Sequence, residues 1–315
     1  MACDRISWPD ANIRTLSLQY LGDEPLRIER CFKGMANTVY FLTLPAGRQA
    51  VLKICPPSEI PCMASEKNMM AAELEALQLL QNADIPVPSI LGRDPSAQPA
   101  FFFMSHLPGQ RFSEITDRLS PEENAGIRFQ IGRLSRRIHR VHGGHFGFRG
   151  NPYLQSDSWK KLMLMLFSAQ LEDGARIGCE LPFVTFDALR RLIFDLSDVF
   201  DEVTEPCLNH GDLWDGNVLV QNGTVTGIID FERACFADGL MENGFANYGT
   251  PDVNFLRGYG KTAFTRNEKI RCSLYRLSLY LGMSVGHCYR NDRQNTQPFW
   301  MLESFERELN NIQTL

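Results

Sequence analysis

Residues 208–230 read LNHGDLWDGNVLVQNGTVTGIID, and the order of polar groups in this stretch decides the architecture of the chain. His210-Gly211-Asp212 is followed by Asn217, an apolar strand-like run, a turn, a second apolar run and then Asp230. One carboxylate beside a reacting hydroxyl, with an amide and a second carboxylate to hold Mg2+, is the minimum apparatus for phosphoryl transfer from a nucleotide. Asp212 is the candidate that orients the acceptor hydroxyl and takes its proton late in a loose transition state. Asn217 and Asp230 are the candidate ligands of Mg2+, a hard cation satisfied by oxygen donors. His210 adjoins an aspartate better placed by spacing and reads as structural, and Asp215 reads as facing solvent or substrate.

Working back from this loop, residues 26–55 alternate strand-like runs with turns: LRIERCF, KGMAN, TVYFLTL, PAGR and QAVLKI. The pattern predicts a three-stranded meander. Lys53 lies in the last run, on the same strand face as Val51. A lysine there reaches into a cleft to pair nucleotide phosphates and requires a carboxylate on the next helix to hold it. The spacing predicts that helix over 65–83, with Met70, Leu74, Leu77 and Leu80 on its apolar stripe. Glu73 falls on the stripe and Glu75 off it, so Glu73 is the expected partner of Lys53, with Glu66 second. Gly34 and Asn37 sit between two strands, where a turn covers the phosphates; Gly34 permits close backbone approach and Asn37 offers hydrogen bonds. Residues 101–108, FFFMSHLP, read as a strand leading into a connection. Its Ser105 to Leu107 would supply backbone groups to a nucleotide base, with Met104 at the back of the slot.

Pro108-Gly109 is the clearest break, and beyond it the pattern becomes mostly helical. Ser120-Pro121-Glu122-Glu123 is a helix start signal, with Ser120 as N-cap and Pro121 as the first helical residue. Further helices are expected over 156–174, 186–203, 266–290 and 298–312. The fold class is therefore α+β, in two lobes: residues 1–107 as a small antiparallel sheet with one helix, and residues 108–315 as a larger, mainly helical lobe.

The 315-residue chain is 44% hydrophobic and 22% charged, which is ordinary for a globular protein with a sizeable core. A net charge of −5 argues against nucleic acid, whose phosphates select basic surfaces, and suits a cationic acceptor. Nine cysteines are scattered, with no C-x-x-C, so neither zinc nor a disulfide framework is expected, and thiols in a reducing compartment fit better. No apolar segment has the length of a signal peptide core or a membrane span, so a cytoplasmic protein without a membrane partner is expected. Nothing in the sequence sets the oligomeric state.

LNHGDLWDGNVLV and GIIDFERACFADG resemble the H-G-D-x-x-x-x-N and I-D-[WF]-E-x-A-x-x-G-D patterns of the aminoglycoside phosphotransferase family, within the kinase-like superfamily. VLKI at Lys53, AELEALQLL, IPVPSI and MSHLPG support the likeness, which spans roughly residues 28–290. The resemblance implies a two-lobe kinase fold, ATP or GTP with Mg2+, and transfer of the γ-phosphoryl to a small-molecule hydroxyl, as in antibiotic kinases. HGDLWDGNV is also similar to the H-G-D-L-W-x-G-N of fructosamine (ketosamine) kinases, the alternative reading. A nucleotide-binding pseudokinase is the non-enzyme alternative; it would lack Lys53, Asp212, Asn217 or Asp230, and all are present. The family's Asp after the second motif is replaced by Glu242. DFE in place of D-F-G, with no A-P-E after it, argues against a protein substrate. Candidate acceptor-site acids are Glu172, Asp173, Asp238 and Glu242, which would favour a polycation; Trp159, Phe245 and Tyr248 lining the cleft would favour a flatter acceptor.

Overall fold

A computed structural model describes residues 8–32, 37–57, 59–246, 251–290 and 298–315. Gly34 and Tyr248 lie outside the described residues. Helix α1 (Asp10–Leu21) precedes strands β1 (Arg27–Cys31), β2 (Thr38–Thr43) and β3 (Gln49–Ile54), then helix α2 (Met69–Leu80) and strands β4 (Ile90–Asp94) and β5 (Phe101–Ser105). The five strands form one antiparallel sheet in the order β1-β2-β3-β5-β4.

Both faces of this sheet are covered, which explains why β3 and β5 are nearly unbroken apolar runs. Leu52, Tyr40, Leu42 and Phe103 face a core closed by Ile13, Leu16 and Tyr20 of α1. Val51, Phe102 and Met104 face the opposite way, into a core shared with Leu74 and Leu77 of α2. Burying a Leu- or Phe-sized side chain stabilises by roughly 1.5–3 kcal/mol, so the pairing of α1 and α2 across the sheet is a large term. Helix α1 was not anticipated from DANIRTLSLQYL, whose apolar residues follow the helical period weakly. The helix expected from residue 65 begins later, at Met69, because Asn68 adopts a left-handed backbone with φ 56°.

After Pro108-Gly109 come β6 (Gln110–Arg111), α3 (Phe112–Ile115), α4 (Pro121–Ile138), β7 (Phe146–Phe148), β8 (Gln155–Ser156), α5 (Trp159–Arg176) and α6 (Phe186–Leu196). Ser120 caps α4 in a reciprocal box with Glu123, as the start signal predicts. The chain continues through β9 (Cys207–Asn209), β10 (Val218–Gln221), β11 (Thr224–Ile228), β12 (Cys235–Ala237), α7 (Asn243–Ala246), α8 (Val253–Tyr259), α9 (Arg266–Arg290) and α10 (Phe299–Ile312). Two small sheets sit within this helical lobe, ordered β11-β10-β6 and β8-β7-β12-β9. In the first, Leu219 pairs with Arg111, so the segment leaving the inter-lobe connection is fastened to the β10–β11 hairpin. The second holds the start of the His210-Gly211-Asp212 loop against the segment that follows Asp230. No helix of the described residues is long and apolar enough to cross a membrane.

Candidate active site

Of the sequence-predicted residues, Lys53, Glu73 and Asp230 are brought together between the lobes. Lys53, at the end of β3, is 4% exposed and donates to Glu73 Oε2 at 2.6 Å and to Asp230 Oδ1 at 2.5 Å. Glu232 Oε2 lies 3.4 Å from the same Nζ. Burial alone would lower the lysine pKa, but Asp230, Glu73 and Glu232 together hold it well above its ordinary value. Burial pushes the Glu73 carboxyl up, with Lys53 opposing. Asp230 is held below the usual carboxylate range, because Lys53 outweighs the effect of its own burial. Glu73 is the partner expected from the apolar stripe of α2. Glu66 instead sits in a short turn before α2, with an oxygen 3.7 Å from Arg233.

The loop from His210 to Asn217 is closed on itself. Asn217 Nδ2 donates to the main-chain oxygen of Asp212 at 2.8 Å and to its Oδ2 at 3.1 Å. Trp214 N–H donates to Asp212 O at 3.0 Å, and Asn217 N–H donates to Trp214 O at 2.9 Å. Gly211 has φ +77°, and a Cβ there would meet Arg233 O at 2.2 Å, so only glycine passes this crossing. The His210 ring accepts from Asp212 N–H through Nδ1 and sits 3.0 Å from Ile229 O through Nε2, with its face tilted against Phe231 at 4.3 Å between centroids. That arrangement spends both ring nitrogens on backbone, as a structural histidine should. Burial pushes the Asp212 carboxyl up to about 6, opposed by the charge of Arg233.

Asp230 stands at φ 72° and ψ 59°, in the left-handed region, which turns its carboxylate back toward Lys53 immediately after β11. Two residues on, Glu232 accepts from Asn37 Nδ2 at 2.5 Å, joining the start of β2 to the second motif. Sequence reasoning missed Glu232; the signal available was a second acid at i+2 from the candidate metal ligand Asp230. Among the described residues, Glu73, Asp230 and Glu232 form the group whose ligand atoms lie within 4.8 Å of one another.

At the connection, Met104 is buried, and Leu107 reaches across to Gly227 of β11. Ser105 is tied back to Ser89 through both its N–H and its hydroxyl, at 2.9 Å each. The backbone of His106 and Leu107 lies beyond the end of β5.

The acids expected to line an acceptor cleft are mostly turned inward. Asp173 accepts from Ala64 N–H at 2.7 Å and pairs with Arg176. Asp238 is held by Arg271 at 3.0 Å and Tyr275 at 2.7 Å. Glu172 is exposed and accepts from Ser168. Trp159 and Phe245 are core residues rather than cleft residues. Trp214 was missed: it is 43% exposed and borders a cavity of about 490 Å3, together with Thr116, Arg128, Asp215 and Asn243. Asp215 is gripped through both oxygens by Arg128 at 2.5 and 2.6 Å, which makes it a tether of the loop.

Glu242 is 0% exposed; it accepts from His210 N–H at 2.6 Å and from Asn243 N–H at 3.0 Å, with His139 Nε2 at 3.7 Å. The longer side chain thus braces the loop from below. Glu242→Ala strands two buried N–H groups and is expected to lower unfolding free energy by about 2–5 kcal/mol. Glu242→Gln, which keeps an accepting oxygen, should lose less than half as much. Equal losses in urea titrations of the two variants would show that the carboxylate does not brace the loop through these bonds.

The sequence profile of the phosphotransferase enzyme family matches residues 27–268. A protein named as a probable ketoamine kinase of Vibrio parahaemolyticus is 31% identical over 206 residues, 59% of this chain and 64% of that protein. A second protein of that name, from Vibrio vulnificus, is 26% identical over 68% of this chain and 75% of its own length. The chain therefore spans about 64% of the length of the first of these curated relatives. In overall fold it is similar to a crystal structure assigned as a fructosamine-3-kinase of Haemophilus somnus, with a TM-score of 0.68, 19% identity and coverage of 95% and 96% of the two chains. It is also similar to an aminoglycoside phosphotransferase in complex with streptomycin and ATP, with a TM-score of 0.62, 15% identity and 98% of each chain covered.

Proposed function

The chain belongs to the phosphotransferase enzyme family, and on that premise we propose that it moves the γ-phosphoryl group of ATP, with GTP as a second donor, to a hydroxyl of a small molecule. The observation that carries this reading is the convergence of Lys53, Glu73 and Asp230 with the closed Asp212–Asn217 loop between the lobes. Lys53 pairs donor phosphates, and Glu73 keeps it in place. Leu107 and Met104 bound the base slot, where the backbone beyond Ser105 offers the hydrogen bonds. Asp212 orients the acceptor hydroxyl and receives its proton as the phosphoryl group departs. Asn217 holds the Asp212 side chain through its amide nitrogen, which leaves the amide oxygen as a donor for a metal ion.

The donor chemistry fits Mg2+: Asp230 and Glu232, whose oxygens lie with that of Glu73 within 4.8 Å of one another, and Asn217 of the adjoining motif all offer hard oxygens. When bound, the ion neutralises charge on the phosphate oxygens. We place the work in the cytoplasm, where thiols are kept reduced. The names of both curated relatives favour a ketoamine as the first acceptor to try, and Asp173 and Asp238 are already engaged within the fold rather than free for a polycation.

The test is Mg2+-dependent nucleotide consumption across ketoamines, aminoglycosides, macrolides, sugars and amino alcohols. Turnover is expected with at least one hydroxyl acceptor, ketoamines ahead of aminoglycosides. Tight nucleotide binding with no turnover on any acceptor would replace the enzyme with a binding module.

A further inference from the structure

Cys179 lies just past the C-terminal end of α5, and Cys288 lies in the last turn of α9. Their sulfurs are 2.9 Å apart, although the residues are separated by 109 positions in sequence. Cys179 is buried and its backbone is fixed by a 2.9 Å bond from its N–H to Gly174 O, whereas Cys288 is half-buried and reachable. The pair sits beside a polar clasp. Tyr289 donates to Asp173 at 3.2 Å and meets Arg176 at 2.5 Å, while Asp173 accepts from Ala64 at the turn before α2. Helices α5 and α9 also wall the cleft beside Gly211 and Arg233, through Gln170 and Ser278.

We propose that Cys179 and Cys288 are a redox-modification site, which closes to a reversible disulfide that fastens α5 to α9. The oxidant is a small disulfide. The Cys288 thiolate attacks it, forming a mixed disulfide and releasing one thiolate. The Cys179 thiolate then attacks the Cys288 sulfur, forming the intramolecular bond and displacing the second thiolate. The two protons lost by the cysteines go to the two released thiolates, so one disulfide is reduced to two thiols as one protein disulfide forms. Proximity of Cys179 makes the second step faster than capture by another small molecule. The site stands independently of the proposed phosphotransfer, since its closure needs no nucleotide or acceptor.

The test treats the native chain with oxidised glutathione and then maps peptides by mass. A Cys179–Cys288 cross-link is expected, with a mass loss of about 2 Da reversed by dithiothreitol. Closing so long a loop should raise the melting temperature by roughly 5–10 °C, and the rise should vanish in Cys288→Ser and Cys288→Ala. A lasting mixed disulfide at Cys288, a cross-link to a different cysteine, or a bond formed only after denaturation would each overturn the proposal.

Discussion

Asp212→Ala should abolish acceptor phosphorylation while leaving the fold and nucleotide binding in place. The carboxylate lies in a closed loop in which Asp212 O accepts from Trp214 N–H and from Asn217 Nδ2, bonds that do not need the Asp212 side chain. Removing the proton acceptor costs about 10²–10⁴ in turnover, because that group acts only as the hydroxyl proton leaves. Asp212→Asn, of nearly equal volume, controls for packing and should be as inactive. The pH dependence follows from the same burial. The carboxyl is pushed up to about 6, and only its ionised form accepts a proton. In the wild type kcat/KM should therefore fall as pH drops through about 6, about tenfold per unit below it. A variant that keeps turnover within tenfold of wild type on any acceptor would remove Asp212 from this role.

Lys53→Met is expected to be the most destabilising of the site substitutions. It takes the cation from among Glu73, Asp230 and Glu232, which approach Lys53 Nζ at 2.6, 2.5 and 3.4 Å. Breaking a buried ion pair by removing one partner costs about 3–5 kcal/mol, since the remaining charge stays buried. Loss of the phosphate-pairing group should also lower turnover by roughly 10²–10³-fold. The sign of the pH effect separates this account from a packing defect. In the wild type, Asp230 is held below its unfolded pKa, so its contribution is present at neutral pH and is lost as pH falls through the folded value. In Lys53→Met the carboxylates have no cation, their folded pKa values rise above the unfolded ones, and the penalty at neutral pH is relieved as pH falls. Denaturation from pH 8 to pH 5 should thus show the gap between wild type and variant narrowing. A gap constant with pH would mean that the lysine stem, not its charge, holds the site.

How much of this was readable beforehand depended on the range of each interaction. Lys53 and Glu73 were legible because strand and helix periods place each on an inward face, and one buried charge calls for another. The Ser120 cap and the β10–β11 hairpin were legible from local chemistry. Glu232 was not, because its partner Asn37 lies 195 positions away and only the folded chain joins them. The inward turn of Asp173 and Asp238 was hidden for the same reason, since Ala64 and Arg271 come from distant elements. Helix α1 escaped because its weak pattern is stabilised by Phe101 and Phe103 of a strand far along the chain. Glu242 was legible as a replacement, and its length suits the reach to His210 N–H.

The left-handed backbone at Asp230 has a consequence beyond aiming a carboxylate. An L-residue pays about 1 kcal/mol there that glycine does not, so Asp230→Gly would relax the turn while discarding the proposed metal ligand. At Asp230 the turn alone favours glycine, and the carboxylate that meets Lys53 is what the aspartate adds.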